Sequence, residues 1–240
     1  MNMEKINSQI NPAYMFPASF TYANALCGFA SILFSFRGEF YNAAVLIIIA
    51  ILLDVFDGRI ARFFKATSDF GKELDSFADL ISFGVAPATL IYLSELHVFQ
   101  TTGLLISFLL VLGGMSRLSR FNVANISDYF LGIPIDASGM FIAALVISNI
   151  ELSAHLIAFI VVLLTFLMVC NIKYPSFKKI KDKQKKKIFL LAVLFIIACI
   201  ATAVVDAGKL IILLPGFYIL FGPILEMENP ERLKNNGESD

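Results

Sequence analysis

Four aspartates stand at spacings of three and four within one 26-residue stretch of the chain: Asp54 and Asp57, then Asp75 and Asp79. Residues three or four apart on a helix share a face, so each pair presents two carboxylates side by side. If the two pairs converge, four carboxylates repel one another, and divalent cations relieve that repulsion. An all-oxygen, anionic donor set suits Mg²⁺ or Mn²⁺. Two such ions about 3.5–4 Å apart can clamp the attacking and leaving oxygens of an in-line displacement at phosphorus. A pyrophosphate substrate would complete the metal shells. The residues between the pairs suit the same chemistry. Gly58 lets a nucleotide approach the helix backbone, and Ala61 keeps that face small one turn on. Arg62 offers a planar fork for phosphate oxygens, and Ser68 can donate a hydroxyl.

The elements that must position these groups are membrane helices. Of the 240 residues, 58% are hydrophobic and 16% are charged, against about 45–50% and about 25% in ordinary soluble domains. Basic and acidic residues balance at 19 each, so bulk charge gives no expectation of a nucleic-acid partner. Apolar runs long enough to cross a bilayer predict about eight spans, near 17–36, 42–64, 73–94, 101–121, 138–151, 154–172, 188–205 and 208–225, with seven as the alternative because the last two share a tight turn. The expected fold is an all-α polytopic bundle in contact with membrane lipids, one domain over 1–225 followed by a polar tail over 226–240. Alternating the spans from a cytoplasmic N-terminus puts 17 of the 19 Lys and Arg on the inner side, eight of them between 173 and 187. The positive-inside rule then predicts cytoplasmic termini and a cytoplasmic face for all four aspartates, in the cell's inner or plasma membrane. The first sixteen residues predict no removable signal peptide. Cys27, Cys170 and Cys199 stand singly in apolar runs and read as packing residues.

The stretch Asp54-x-x-Asp57-Gly58-x-x-Ala61-Arg62, eight residues to Gly71, then Asp75 and Asp79, resembles the signature of the CDP-alcohol phosphatidyltransferases at every specified position. The resemblance implies a reaction that breaks the pyrophosphate of CDP-diacylglycerol, passes the phosphatidyl group to an alcohol and releases CMP. It implies Asp54, Asp57 and Asp75 as metal ligands, and Asp79 as both ligand and general base, around two divalent ions, Mg²⁺ or Mn²⁺. It places Gly58, Arg62 and Ser68 against the CDP-linked lipid, with Thr21 and Asn24 of the first helix, and it suggests a homodimer.

Further stretches resemble the branch of that family whose acceptor alcohol is L-serine. They are Pro17, Thr21, Asn24 and Gly28; the run from Asp75 to Pro87; Arg117-Leu-Ser-Arg120-Phe121-Asn122; and Gly132-Ile-Pro134. Free serine is a zwitterion, so its pocket needs a cation for the carboxylate, and Arg117 or Arg120 can supply it. Asn122 can bond to either end. Glycerol 3-phosphate or inositol as acceptor is the near alternative. A cation-coupled transporter is the distant one, because such sites lie near the bilayer midplane between repeated halves and no repeat is visible here.

Overall fold

Gly, Asn, Ser and Pro cut the apolar runs into helices at defined points. The computed structural model describes residues 12–63, 68–124, 129–175, 212 and 215–220. Within them lie α1 (Pro12–Phe36), α2 (Phe40–Phe63) and α3 (Asp69–Asp79). A π-helical turn (Leu80–Val85) leads into α4 (Ala86–Ser94), and a 3₁₀ turn (Leu96–Phe99) into α5 (Thr101–Ala124). The chain continues through β1 (Tyr129–Leu131), α6 (Ile135–Ser148), α7 (Ala154–Val169) and β2 (Lys173–Pro175). Gly38, at φ 76°, ends α1 in the left-handed conformation that glycine adopts without cost. Ser68 caps α3, its Oγ accepting the Gly71 N–H at 3.0 Å, as N-terminal serines commonly do. Pro134 leads into α6, Asn149 closes it at φ 47°, and Ser153 caps α7.

The protein is a polytopic membrane helical bundle. Among the described residues, three continuous helices, Ala18–Phe36, Phe70–Ser94 and Thr101–Val123, are long and apolar enough to span a bilayer, and Ile135–Ser148 and Ala154–Val169 are shorter apolar helices. Large apolar side chains point outward, among them Leu26, Phe29, Phe36, Phe159 and Phe166. In water such a surface would be a liability; in lipid it is the solvating face. The buried core is built from Ala43, Ala44, Ile47 and Ala50 of α2, Phe83 of the π turn, Leu90 and Ile91 of α4, Ile142 of α6, and Val161, Leu164 and Met168 of α7.

The first six expected spans are all present, with displaced ends. The third begins at Asp69 because Ser68 supplies the cap, and the fifth begins at Ile135 because Pro134 fixes its entry. The expected seventh and eighth spans fall outside the described residues, apart from 212 and a helical stretch over 215–220. The polar tail and most of the lysine run also lie outside them. The two three-residue strands were not expected. They pair antiparallel, Tyr129 with Pro175 and Leu131 with Lys173, and tie the segment after α5 to the segment after α7.

The π turn is the other departure from a plain helix. π turns are rare and occur most often at functional sites. This one follows Asp79 directly and is squeezed from two sides. On one side, Ser82 donates its hydroxyl to the Asn24 carbonyl at 2.9 Å, and a Cβ at Gly28 would lie 2.6 Å from Ser82 Cα. On the other, a Cβ at Gly139 of α6 would lie 3.1 Å from the Phe83 backbone. Small residues thus allow α1 and α6 to close on the turn, the usual way that helices approach in membranes. Gly28→Val is expected to cost about 1–3 kcal/mol by overpacking. Thermal unfolding of the detergent-solubilised protein measures it, and an unchanged Tm would remove this contact as a determinant of stability.

Candidate active site

Helix α2 carries Asp54 and Asp57 one turn apart, and α3 carries Asp75 and Asp79. One carboxylate oxygen from each of Asp54, Asp57 and Asp75 lies within 4.8 Å of the others. Asp57 is 5% exposed, and Asp54 and Asp75 are half-buried. Thr21 of α1 donates its hydroxyl to Asp57 Oδ2 at 2.8 Å, so a third helix holds the cluster from behind. The carboxyls of Asp54 and Asp75 come within hydrogen-bond reach of one another. Two carboxylates that close must share a proton or have a cation between them.

Asp79 stands one turn beyond Asp75, outside the set of three converging oxygens but within electrostatic range of Asp54 and Asp75. Oδ1 of Asp75 and Oδ1 of Asp79 are buried without a hydrogen-bond partner. Asn24 is fully buried with both ends of its amide unpartnered. Buried polar atoms are normally satisfied, so this concentration of orphaned oxygens marks a place built for something else. The donor set fits a hard divalent cation: it is anionic, made of oxygens, and has acceptor capacity to spare.

Around the carboxylates, Gly58 follows Asp57 on α2, half-buried. Arg62 and Ala61 lie in the last turn of α2, and their side chains fall outside the described residues. Ser68 spends a lone pair on its helix cap, which leaves its O–H free in valence to donate.

This arrangement can be set beside known proteins. The family model of the CDP-alcohol phosphatidyltransferases matches residues 14–219, which include all four aspartates and the helices that carry them. The chain belongs to that family. Among its curated relatives is a CDP-diacylglycerol–serine O-phosphatidyltransferase of Helicobacter pylori, 37% identical over 224 residues, covering 90% of this chain and 92% of the relative. An enzyme of the same name from Bacillus subtilis is 40% identical over 164 residues, 68% of this chain and 91% of the relative. An archaetidylserine synthase of Methanothermobacter thermautotrophicus is 39% identical over 180 residues, 73% of this chain and 74% of the relative.

For this family member, the structure separates the residues singled out on α5. Arg117 is 7% exposed, its guanidinium 5.5 Å from the centre of the Phe121 ring, and it lies within electrostatic range of Asp79. It belongs to the carboxylate site. Arg120 is turned elsewhere. Its guanidinium donates to the carbonyls of Leu131, Met168, Val169 and Cys170 and to Asn171 Oδ1, at 2.9–3.3 Å. It closes the C-terminus of α7, where carbonyls lack helical partners, onto β1. Asn122 donates to Ser76 Oγ at 3.0 Å, linking α5 to the residue beside Asp75. Sequence reasoning did not find Asp136, in the first turn of α6, which interacts electrostatically with Asp54, Asp75, Asp79 and Arg117. The signal was available: Asp136 is a lone carboxylate between apolar residues of a membrane helix, and such groups are functional by default.

Proposed function

We propose that this enzyme transfers the phosphatidyl group of CDP-diacylglycerol to the hydroxyl of L-serine, giving phosphatidylserine and CMP. The observation that carries the reading is the convergence of Asp54, Asp57 and Asp75, with Asp79 one turn away and the buried Arg117 within its electrostatic range. The names of the relatives favour serine as acceptor. Two are named for CDP-diacylglycerol and one for an archaetidyl lipid, yet all three are named for serine.

The residues divide the work as follows. Asp54, Asp57 and Asp75, with Asp79, would hold two divalent ions, Mg²⁺ or Mn²⁺, which when bound supply charge neutralisation at the pyrophosphate oxygens. Thr21 orients Asp57. Gly58, Ser68 and the orphaned amide of Asn24 would contact the CDP-linked lipid, together with Arg62 as the family motif implies. Arg117 receives the serine carboxylate, and Asn122, through Ser76, fixes α5 against α3. Arg120 acts as a positioning residue. Asp79 accepts the proton of the serine hydroxyl as its oxygen bonds to the lipid-bearing phosphorus, and the bond from that phosphorus to CMP breaks in the same displacement. The cytoplasmic side is the natural place for this face, because free serine and CMP are water-soluble and the Lys and Arg bias points there. A homodimer is the assembly we expect.

Purified protein supplied with labelled serine and CDP-diacylglycerol tests the reading. Label entering the lipid phase with stoichiometric CMP release is the expected result. Transfer to glycerol 3-phosphate or inositol in place of serine would overturn the acceptor, and no CMP release with any alcohol would overturn the reaction.

A further inference from the structure

Free serine presents a hydroxyl, a carboxylate and an ammonium. Asp79 and Arg117 account for the first two, and the third has no partner so far. The entry to α6 supplies a candidate whose position is fixed by packing. Ile135, 1% exposed, is wedged against two glycines: a Cβ at Gly114 would lie 3.3 Å from Ile135 Cγ1, and one at Gly84 would lie 3.5 Å from Ile135 Cδ1. Gly114 is one turn before Arg117 on α5, and Gly84 belongs to the π turn that follows Asp79. The other side of this entry is held by the Ile133 N–H on the Leu167 carbonyl at 3.0 Å and by Gly132 at φ 74°. The next residue along, Asp136, is therefore delivered to the same end of the bundle as Arg117 and Asp79. It interacts electrostatically with Arg117.

We propose that Asp136 binds the ammonium of the acceptor and makes the pocket specific for an amino-alcohol carboxylate. This rests on serine being the acceptor, and it adds the residue that tells serine from alcohols lacking the amino group. Before an acceptor enters, Asp136 offsets the charge of the buried Arg117. A zwitterion entering that pair brings a charge for each partner, so no net charge is moved into the low-dielectric interior. An acceptor without the ammonium would leave the half-buried Asp136 uncompensated beside a second carboxylate. The pocket then rejects it as well as failing to attract it.

The test compares serine with 3-hydroxypropionate, which keeps the hydroxyl and carboxylate but lacks the ammonium, using full-length enzyme and CDP-diacylglycerol. The wild type is expected to favour serine in kcat/KM by about tenfold or more, the size of one charge-assisted hydrogen bond. Asp136→Asn is expected to raise the serine KM by roughly 10–100-fold, leave the CDP-diacylglycerol KM in place, and collapse the preference. Asp136→Glu is expected to restore part of it. A residue that merely held Arg117 or the fold would lower both acceptors together and leave their ratio unchanged. An unchanged ratio, or silence with both acceptors in a variant that still gives the thermal shift with CDP-diacylglycerol, overturns the proposal. If Asp136→Asn fails to give the thermal shift that CDP-diacylglycerol produces in the wild type, the wild-type ratio decides: less than about tenfold overturns the proposal. A wild type that transfers nothing to serine overturns the proposed function and this inference together. Serine transfer without the amino-group preference overturns this inference alone.

Discussion

Asp54→Asn and Asp75→Asn are each expected to abolish phosphatidyl transfer. Each removes a charged oxygen ligand from a shared site, and Lewis-acid stabilisation is worth several kcal/mol, or roughly 10³-fold or more in rate. Excess chelator should silence the wild type, and added Mg²⁺ or Mn²⁺ should restore it. A second readout does not depend on turnover. Without metal, three carboxylates share oxygens within 4.8 Å, and that crowding destabilises the fold. Replacing one carboxylate by an amide relieves it, so the metal-free variants should melt at higher temperature than the metal-free wild type and gain less from added Mg²⁺. Such an exchange of stability for activity is common at functional sites. Full activity in chelator, or variants that gain as much from metal as the wild type does, would sink the metal account.

Asp79→Asn is expected to keep most CDP-diacylglycerol binding and lose the transfer step. A hydroxyl is a poor nucleophile until its proton is drawn off, and a positioned base contributes about 10²–10⁴-fold. Because Asp79 lies outside the three converging oxygens, its loss should spare the donor subsite more than the loss of Asp75 does. The mechanism also fixes the stereochemistry. One in-line displacement inverts configuration at phosphorus, and two successive ones retain it. Inversion with a chiral phosphorothioate donor is the expected outcome. Retention, or a trapped phosphatidyl-enzyme, would make Asp79 or another side chain a nucleophile and overturn direct attack by serine.

Much of this was legible in the linear sequence. Carboxylates three and four apart need only helical periodicity to share a face, and apolar runs of bilayer length need only composition to be recognised. The positions of six spans followed from that, to within a few residues. At two of the bounds that slipped, the residue before the helix had decided: Ser68 opened α3 early, and Pro134 opened α6 early. The two arginines of α5 show where the linear reading stops. Arg117 and Arg120 are three residues apart and chemically identical, and each was an equal candidate for the serine carboxylate. The structure sends one into the carboxylate site and the other to the carbonyls at the end of α7. No sequence window contains Met168 and Arg120 together, so that choice was invisible.

The sequence by itself determined the chemistry and its place: an acidic pattern at helix ends, a membrane bundle around it, and a signature that spans both pairs. These are local properties, set by residue type and by spacings shorter than about one span. Only the tertiary structure decided how the site is completed. It set Thr21 behind Asp57, left Asn24 buried without partners, pressed a π turn between α1 and α6, and brought Asp136 to Arg117. Each of these joins groups on different helices, and which helices meet is fixed by where small residues let backbones close, a property of surfaces that exist only once the helices have packed.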